Sequence, residues 1–189
     1  MYLNYNRLVN SELSPFLKLD IINDNVWLAG GAIRSVINKE PIFDYDLFFK
    51  TTIDAANTRV KLEGMGADIK FKCPLGLLTT YMLDDMKMQC ITENFYPSLE
   101  SLIDTFDITA CRYATDGKKI YTRYSSVRDT ISKKINFHRV DFPVATMKRV
   151  AKYAAKGYTF TSNAAQLFVQ DVYSKGLQGR ELNTRVYID

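Results

Sequence analysis

The pattern of apolar and polar residues predicts a strand, a glycine turn, a helix and a second strand between residues 26 and 49. Val26–Ala29 is an apolar run of strand type, which Gly30-Gly31 interrupts. Apolar residues then recur at helical spacing over residues 32–38. A second apolar run follows and is broken only by Asp44 and Asp46. This block is the part of the sequence around which we interpret the rest.

Asp44 and Asp46 are two residues apart within the second predicted strand. Because side chains alternate across a strand, both carboxylates face one side, roughly 6–7 Å apart. Phe43, Tyr45 and Leu47 are expected to face a core on the other side. Two carboxylates this close repel each other unless a cation lies between them. We expect Mg²⁺, with Mn²⁺ as an alternative, because such ions bind carboxylates together with substrate phosphates.

The Gly30-Gly31 turn has the features that a phosphate site needs. It offers backbone N–H groups without a Cβ in the way, at the positive end of a helix that carries Arg34 one turn further on. A glycine pair alone usually serves only to change chain direction, and an isolated D-x-D usually marks a solvated edge strand. The fixed spacing of both features favours a nucleotide site formed by Gly30, Gly31 and Arg34.

The remaining pattern up to residue 124 predicts a mixed α/β fold with helices beside the sheet. Thr51 or Thr52 is expected to cap a helix ending near residue 63, and Ser98 to cap a short helix through residue 104. Asp84-Asp85 and Asp116-Gly117 are typical hairpin turns. The predicted strands cover residues 67–72, 77–83, 86–93 and 106–111, the last with Asp107, Thr109 and Cys111 on one face.

Beyond residue 124 the pattern becomes helical, so we predict two parts, residues 1–124 and 125–189. Asp141 is expected to cap a helix ending near residue 156, and Thr161 to cap a final helix that stops at Gly176. The apolar stripe of the first of these helices is predicted at Met147, Val150, Ala151 and Ala154, and a basic row at Lys148, Lys152 and Lys156.

Charge is distributed unevenly along the 189 residues. Residues 112–156 contain twelve lysines and arginines against three aspartates, a net of +9 in a chain whose total is +4. This asymmetry predicts a polyanionic partner. No apolar run is long enough to span a membrane, and no signal-peptide pattern is present. Three cysteines without CxxC spacing indicate buried thiols and a cytoplasmic protein, and a single histidine argues against a His-based zinc site.

GGAIR followed by a D-x-D strand resembles the signature of template-independent nucleotidyltransferases of the DNA polymerase β superfamily. The resemblance is strongest to the head domain of tRNA CCA-adding enzymes and bacterial poly(A) polymerases. Ser35 replaces the aspartate that commonly follows the arginine. The segment FDITACRYA resembles a DFTINA-like block of that family, which implies that Asp107 is a third metal-binding carboxylate, with Asp104 as the alternative. Arg112, in the same segment, is a candidate nucleotide or RNA contact.

The run KRVAKYAAKGYTF more faintly resembles the helical neck that follows the family's head. The family's neck uses an acidic-acidic-x-x-Arg motif to select the incoming base, but Val144 stands three residues after Asp141. We therefore expect looser base selection, with ATP favoured by stacking. The candidate contacts to nucleotide or RNA in this part are Arg139, Asp141, Lys148, Arg149 and Lys152.

The resemblance implies a polymerase β-like mixed sheet with flanking helices, followed by a small helical neck. It also implies Mg²⁺-dependent transfer of a nucleoside monophosphate from an NTP to an acceptor hydroxyl, with release of pyrophosphate. Asp44, Asp46 and Asp107 would bind the metal, and the positive charge favours an RNA 3′ end as acceptor. Two alternatives stay open: transfer to a protein or small-molecule hydroxyl, and a non-catalytic RNA-binding module.

Overall fold

An eight-stranded mixed sheet forms the centre of the protein. The computed structural model describes residues 2–3 and 11–175. The strands are β1 (Tyr2–Leu3), β2 (Val26–Ala29), β3 (Tyr45–Phe49), β4 (Asp68–Lys72), β5 (Leu78–Leu83), β6 (Met86–Ile91), β7 (Tyr113–Thr115) and β8 (Ile120–Thr122). Their order is β1-β8-β7-β2-β3-β6-β5-β4. Only β3 and β6 pair in parallel; the other neighbours are antiparallel.

Helices cover both faces of this sheet. They are α1 (Ser14–Leu17), α2 (Gly31–Asn38), α3 (Thr52–Gly64), α4 (Leu99–Ile103), α5 (Tyr124–Ile131), α6 (Pro143–Ala154) and α7 (Ser162–Lys175). On one face, Leu47 and Phe49 of β3 pack with apolar residues of α1, α2 and α3. On the other face, Phe48 packs with apolar residues of α4. The alternation along β3 therefore places Asp46 on the same face as α4.

The predicted class, a mixed sheet flanked by helices, is confirmed, and so are most local signals. Thr51 caps α3 by accepting a hydrogen bond from the Asp54 N–H at 3.2 Å, and Ser98 forms a capping box with Ser101. Asp84 adopts φ 50° in the β5–β6 turn. Phe43 is an exception: it lies before β3 and is 64% exposed, so the prediction that it faces a core is wrong.

The predicted strand over residues 106–111 is also wrong. Ile108 forms only an isolated bridge with Phe137, and Thr109–Cys111 is a 3₁₀ turn. Polar side chains form local hydrogen bonds here. A carboxylate oxygen of Asp107 accepts from the Ile108 N–H at 2.8 Å, and the Thr109 hydroxyl donates to Asp129 at 2.5 Å. Short polar side chains of this kind compete with strand pairing.

After α5, the strands β9 (Lys134–Ile135) and β10 (Thr159–Phe160) form a small parallel sheet beside α6 and α7. Thr161 caps α7, as predicted, by accepting from the Ala164 N–H at 3.1 Å. Asp141 does not cap α6: Phe142 is its N-cap residue, and the Asp141 carboxylate pairs with Arg139. Gly176, expected to end the last helix, lies outside the described residues.

Helix α6 is rotated about its axis relative to the prediction. Of the predicted apolar stripe only Val150 is buried, while Met147, Ala151 and Ala154 are exposed. The buried face contains Ala145, Thr146, Val150 and Tyr153. Tyr153 sets this orientation because it packs against Tyr158 and joins a core with residues 108–111. This core spans the predicted boundary between residues 124 and 125, and the division into two domains stays a prediction.

The three cysteines are free and buried, as predicted. No helix within residues 11–175 is long and apolar enough to cross a lipid bilayer.

Candidate functional site

The turn between β2 and α2 lies beside the Asp46 carboxylate of β3, and the Gly30 N–H in it donates to the Tyr113 carbonyl at 2.8 Å. Gly30 has φ +80°, and a Cβ on it would lie 3.2 Å from the Phe106 ring and 3.8 Å from Oδ2 of Asp46. A Cβ on Gly31, the first residue of α2, would have no other atom within 4 Å. No side chain caps this helix. The N–H groups of its first turn are therefore suited to an anionic ligand.

Asp46 lies opposite Ala29 in the β2–β3 pair, and Asp44 immediately precedes β3. The Oδ1 atom of Asp46 is buried and has no hydrogen-bond partner among the described residues. Burial and then the neighbouring Asp44 carboxylate raise the pKa of Asp46 to about 7. A buried carboxylate oxygen without a partner beside a second carboxylate suits a hard divalent cation, so the pair fits the expected Mg²⁺.

Three cationic side chains near the Asp44–Asp46 pair lower the pKa of Asp46 and so oppose the effect of burial. Lys152, Lys87 and Arg149 each lower the pKa of Asp46 by electrostatic attraction. Nζ of Lys87 lies 4.0 Å from Oδ2 of Asp44. Lys152 and Arg149 were predicted as nucleotide or RNA contacts, whereas Lys87 was missed. The alternation of polar and apolar residues along β6 was visible in the sequence, but its pairing with β3 was not.

Asp107 does not join the two other carboxylates in a metal-binding group. Its Oδ2 accepts hydrogen bonds from Thr146 at 2.7 Å and from Arg149 at 2.6 Å. Among residues 2–3 and 11–175, no three His, Cys, Asp or Glu side chains are grouped so as to hold a metal ion. In this structure the Asp107 carboxylate ties the 3₁₀ turn to α6, and its assignment as third ligand stays a prediction.

Arg34, which was predicted to bind phosphate with Gly30 and Gly31, has a buried guanidinium that is bonded within the protein. Its side chain is 1% exposed and donates to Glu40 at 2.7 Å and to Ser35 at 2.9 Å. The guanidinium lies 5.0 Å from the centroid of the Tyr153 ring. Arg34 thus joins α2 to the helical region. Ser35, which replaces the family's aspartate, accepts one of its hydrogen bonds.

The other predicted contacts divide into buried and exposed groups. Arg112 is buried, donates to the Ile103 carbonyl at 3.0 Å and pairs with Asp104. Asp104 also pairs with Arg123 at 2.7 Å, which argues against its role as alternative third ligand. Arg139 pairs with Asp141, while Lys148 and Lys152 are exposed on α6.

Solved CCA-adding enzymes share this fold, which confirms the resemblance to their head domain. The Thermotoga maritima CCA-adding enzyme complexed with tRNA(CCA) matches with a TM-score of 0.72 and 15% identity over 92% of this chain and 46% of the enzyme. A CCA-adding enzyme in complex with CTP matches with a TM-score of 0.73 and 14% identity over 93% of this chain and 47% of the enzyme. At this identity the likeness shows the fold alone.

A phage protein shows closer sequence similarity. The protein called Gabija anti-defense 2, from Bacillus phage SPbetaL7, is 30% identical over 137 residues, which are 71% of this chain and 34% of the phage protein. The chain thus spans about a third of that relative's length. The sequence pattern of the Gabija anti-defense 2 family matches residues 4–133. Because this match covers more than half of the chain, the chain belongs to the Gabija anti-defense 2 family.

Proposed function

We propose that this protein transfers a nucleoside monophosphate from an NTP to an acceptor hydroxyl and releases pyrophosphate. One observation carries the proposal: the buried, unpartnered Oδ1 of Asp46 lies beside Asp44 and next to the uncapped start of α2. A cation site adjoining an anion site matches the requirements of a metal-bound triphosphate. Neither feature has an evident structural use without a ligand.

The chain's own residues divide the work between binding and positioning. Asp44 and Asp46 would hold Mg²⁺ or Mn²⁺, which supplies charge stabilisation for the phosphates and polarises the attacking hydroxyl. The N–H groups at the start of α2 hold phosphate oxygens, and Gly30 keeps that approach free of a Cβ. Lys87 and Lys152 add positive charge where pyrophosphate departs.

The reaction forms one bond and breaks one bond at the α-phosphorus. The acceptor oxygen attacks this phosphorus, and the bond to the bridging oxygen of the β-phosphate breaks. The acceptor proton leaves to solvent or to a carboxylate of the Asp44–Asp46 pair. ATP is the favoured donor, as the sequence suggested.

The acceptor in this proposal is an RNA 3′ end, because exposed lysines on α6 extend the positive charge beyond the carboxylates. The family name favours a second candidate, a hydroxyl on a component of the Gabija defence system. Either modification would serve an anti-defence role, which we propose for this chain from its relative's name.

The test is a labelling experiment with the four α-³²P-labelled NTPs and Mg²⁺ or Mn²⁺. Total RNA and, separately, lysate from cells expressing Gabija serve as acceptors. Wild-type protein should label one acceptor, and Asp46→Asn should lower the rate at least ~100-fold because the carboxylate that holds the cation is lost. Asp68→Asn, which changes an exposed aspartate on β4, is the matched control and should leave the rate unchanged.

Three outcomes contradict parts of this proposal. Equal labelling by wild-type protein and Asp46→Asn would rule out the carboxylate pair as the reaction centre. Labelling of a lysate protein but not of RNA would exclude the RNA acceptor. If no acceptor is labelled and both proteins suppress Gabija equally in cells, the protein is a binding module.

A further inference from the structure

We propose that Gln89 supplies the third protein oxygen of the divalent-cation site, through the carbonyl oxygen of its side-chain amide. The inference rests on the proposed function, which places a cation at Asp44 and Asp46. It assigns to β6 the ligand that sequence reasoning assigned to Asp107. Nothing in the sequence pattern alone pointed to this glutamine.

Strand register places Gln89 beside Asp46. Strands β3 and β6 run in parallel, with Tyr45 opposite Met88 and Asp46 opposite Gln89. Partners in register point to the same face of a sheet, so the two polar side chains are direct neighbours. Consistent with this, Tyr45 and Met88 both belong to the core cluster on the opposite face.

Asp46 and Gln89 each have a buried side-chain oxygen that lacks a hydrogen-bond partner among the described residues. Gln89 is 3% exposed, and its Oε1 is buried without a hydrogen-bond partner among the described residues, as is Oδ1 of Asp46. A buried polar atom without a partner costs about 1–3 kcal/mol. With the Gln89 amide oriented as it is here, the two acceptors cannot satisfy each other, because neither oxygen carries a proton when Asp46 is ionised. A cation between them removes both deficits at once.

The charge of the two aspartates allows the third ligand of the cation to be a neutral group. Asp44 and Asp46 already match the charge of one divalent cation, and Mg²⁺, Mn²⁺ and Ca²⁺ accept amide oxygens as ligands. Asp107, the alternative donor, is bound by Thr146 and Arg149. Freeing it would break two hydrogen bonds to α6, whereas Gln89 needs no such change.

Mn²⁺ alone, added to the purified chain, is the probe for this proposal. Free and bound Mn²⁺ are counted by electron paramagnetic resonance for the wild-type protein, Gln89→Met, Gln89→Glu, Asp107→Asn and Asp46→Asn. Gln89→Met keeps the side-chain length but removes the oxygen, and should weaken Mn²⁺ binding roughly tenfold. Gln89→Glu should tighten it, and Asp107→Asn should leave it unchanged.

A second measurement separates ligation from simple positioning. The number of water molecules on the bound Mn²⁺, obtained from electron spin-echo modulation in D₂O, should rise by one in Gln89→Met because water takes the vacated position. An unchanged water count would show that Gln89 only positions Asp46, and would overturn the proposal. Asp46→Asn, which removes one of the two negative charges that hold the cation, should weaken binding far more than Gln89→Met does and thereby show that the counted ion lies at the carboxylate pair.

Other results would also overturn the inference. They are wild-type Mn²⁺ affinity in Gln89→Met, weakened binding in Asp107→Asn, and no Mn²⁺ uptake by the wild-type protein. Melting curves of each variant show whether a loss of binding reflects unfolding, and Asp107→Asn gives a decisive result even if a Gln89 variant fails to fold. Failure of the proposed function is separate: absence of labelled transfer with Mn²⁺ binding as expected would overturn the reaction and leave the ligand assignment standing.

Discussion

At the scale of single residues, the main feature of this protein is a half-buried carboxylate, Asp46, with one oxygen inaccessible to water. Asp46 has one buried oxygen without a partner among the described residues, and burial together with Asp44 raises its pKa to about 7. An ionised carboxylate with a buried, unpartnered oxygen lowers the stability of the folded protein unless a cation or a proton binds to it. A buried carboxylate oxygen without a partner is therefore typical of a ligand site, whereas a structural ion pair gives each carboxylate oxygen a partner.

The first prediction concerns the pH dependence of stability without metal. Because the folded protein holds the Asp46 proton more tightly than the unfolded chain, stability falls as pH rises from the ordinary carboxyl pKa to about 7. In EDTA, Asp46→Asn should therefore melt a few degrees above wild type at about pH 8, and the gap should close towards pH 5. Thermal melts at both pH values test this; a gap that does not change with pH would contradict it.

At the scale of secondary-structure elements, helix α2 has different surroundings at its two ends. Its N-terminus begins at Gly31 beside the carboxylates and has no side-chain cap. Arg34 holds the helix in place through Glu40, and Lys133 bonds the same carboxylate at 2.9 Å. Asn38, the last residue of α2, donates to the Tyr158 hydroxyl at 2.8 Å. The open end can bind a ligand because the rest of the helix is fixed.

The second prediction is that Arg34 stabilises the fold and does not bind phosphate. Arg34→Met removes the hydrogen bonds to Glu40, Ser35 and Tyr158 and should lower the free energy of unfolding by about 2–4 kcal/mol. The melting temperature should then fall by about 5–15 °C. Lys39→Met, which removes a positive charge from an exposed neighbouring position, serves as the control and should melt close to wild type. An Arg34 variant with normal melting but without NTP binding would show that Arg34 acts on phosphate.

At the scale of the whole molecule, positive charge concentrates in one segment of the chain, from which Lys152 and Arg149 act on the Asp46 carboxylate. Residues 112–156 carry +9, although the chain as a whole carries only +4. Several of these positive charges form ion pairs within the protein: Arg112 and Arg123 both pair with Asp104, and Arg149 pairs with Asp107. Lys148 and Lys152 on α6 are exposed, and Lys156 just after its end is half-buried, so we expect these lysines to meet a polyanion.

The third prediction concerns these lysines. Changing Lys148, Lys152 and Lys156 together to glutamine should weaken single-stranded RNA binding and reduce its salt dependence, by up to about 0.7 in the log–log slope for each phosphate that is no longer neutralised. Binding is measured by fluorescence anisotropy at several salt concentrations. The matched control changes three exposed lysines on other parts of the fold, Lys61, Lys70 and Lys118, to glutamine. Equally weakened binding in both triple variants would mean that only net charge matters.

The elements that could be predicted from the sequence are those determined by interactions between residues close together in the chain. The Gly30-Gly31 turn, the D-x-D strand and the capped helices follow from side-chain alternation, conformational freedom and capping between residues close in the chain. The resemblance to CCA-adding enzymes rested mainly on this same local block, and the comparison with solved structures confirms the shared fold.

The distant residues that meet the carboxylates could be identified only once the elements were packed together. Gln89 and Lys87 reach the carboxylates because β6 pairs with β3, and strand pairing is set by packing across the whole sheet. Arg34 is drawn inward by Tyr153, and Asp107 is bound by α6. Neither interaction leaves a trace in local periodicity, because each joins residues 39 or more positions apart whose approach depends on how the finished elements pack.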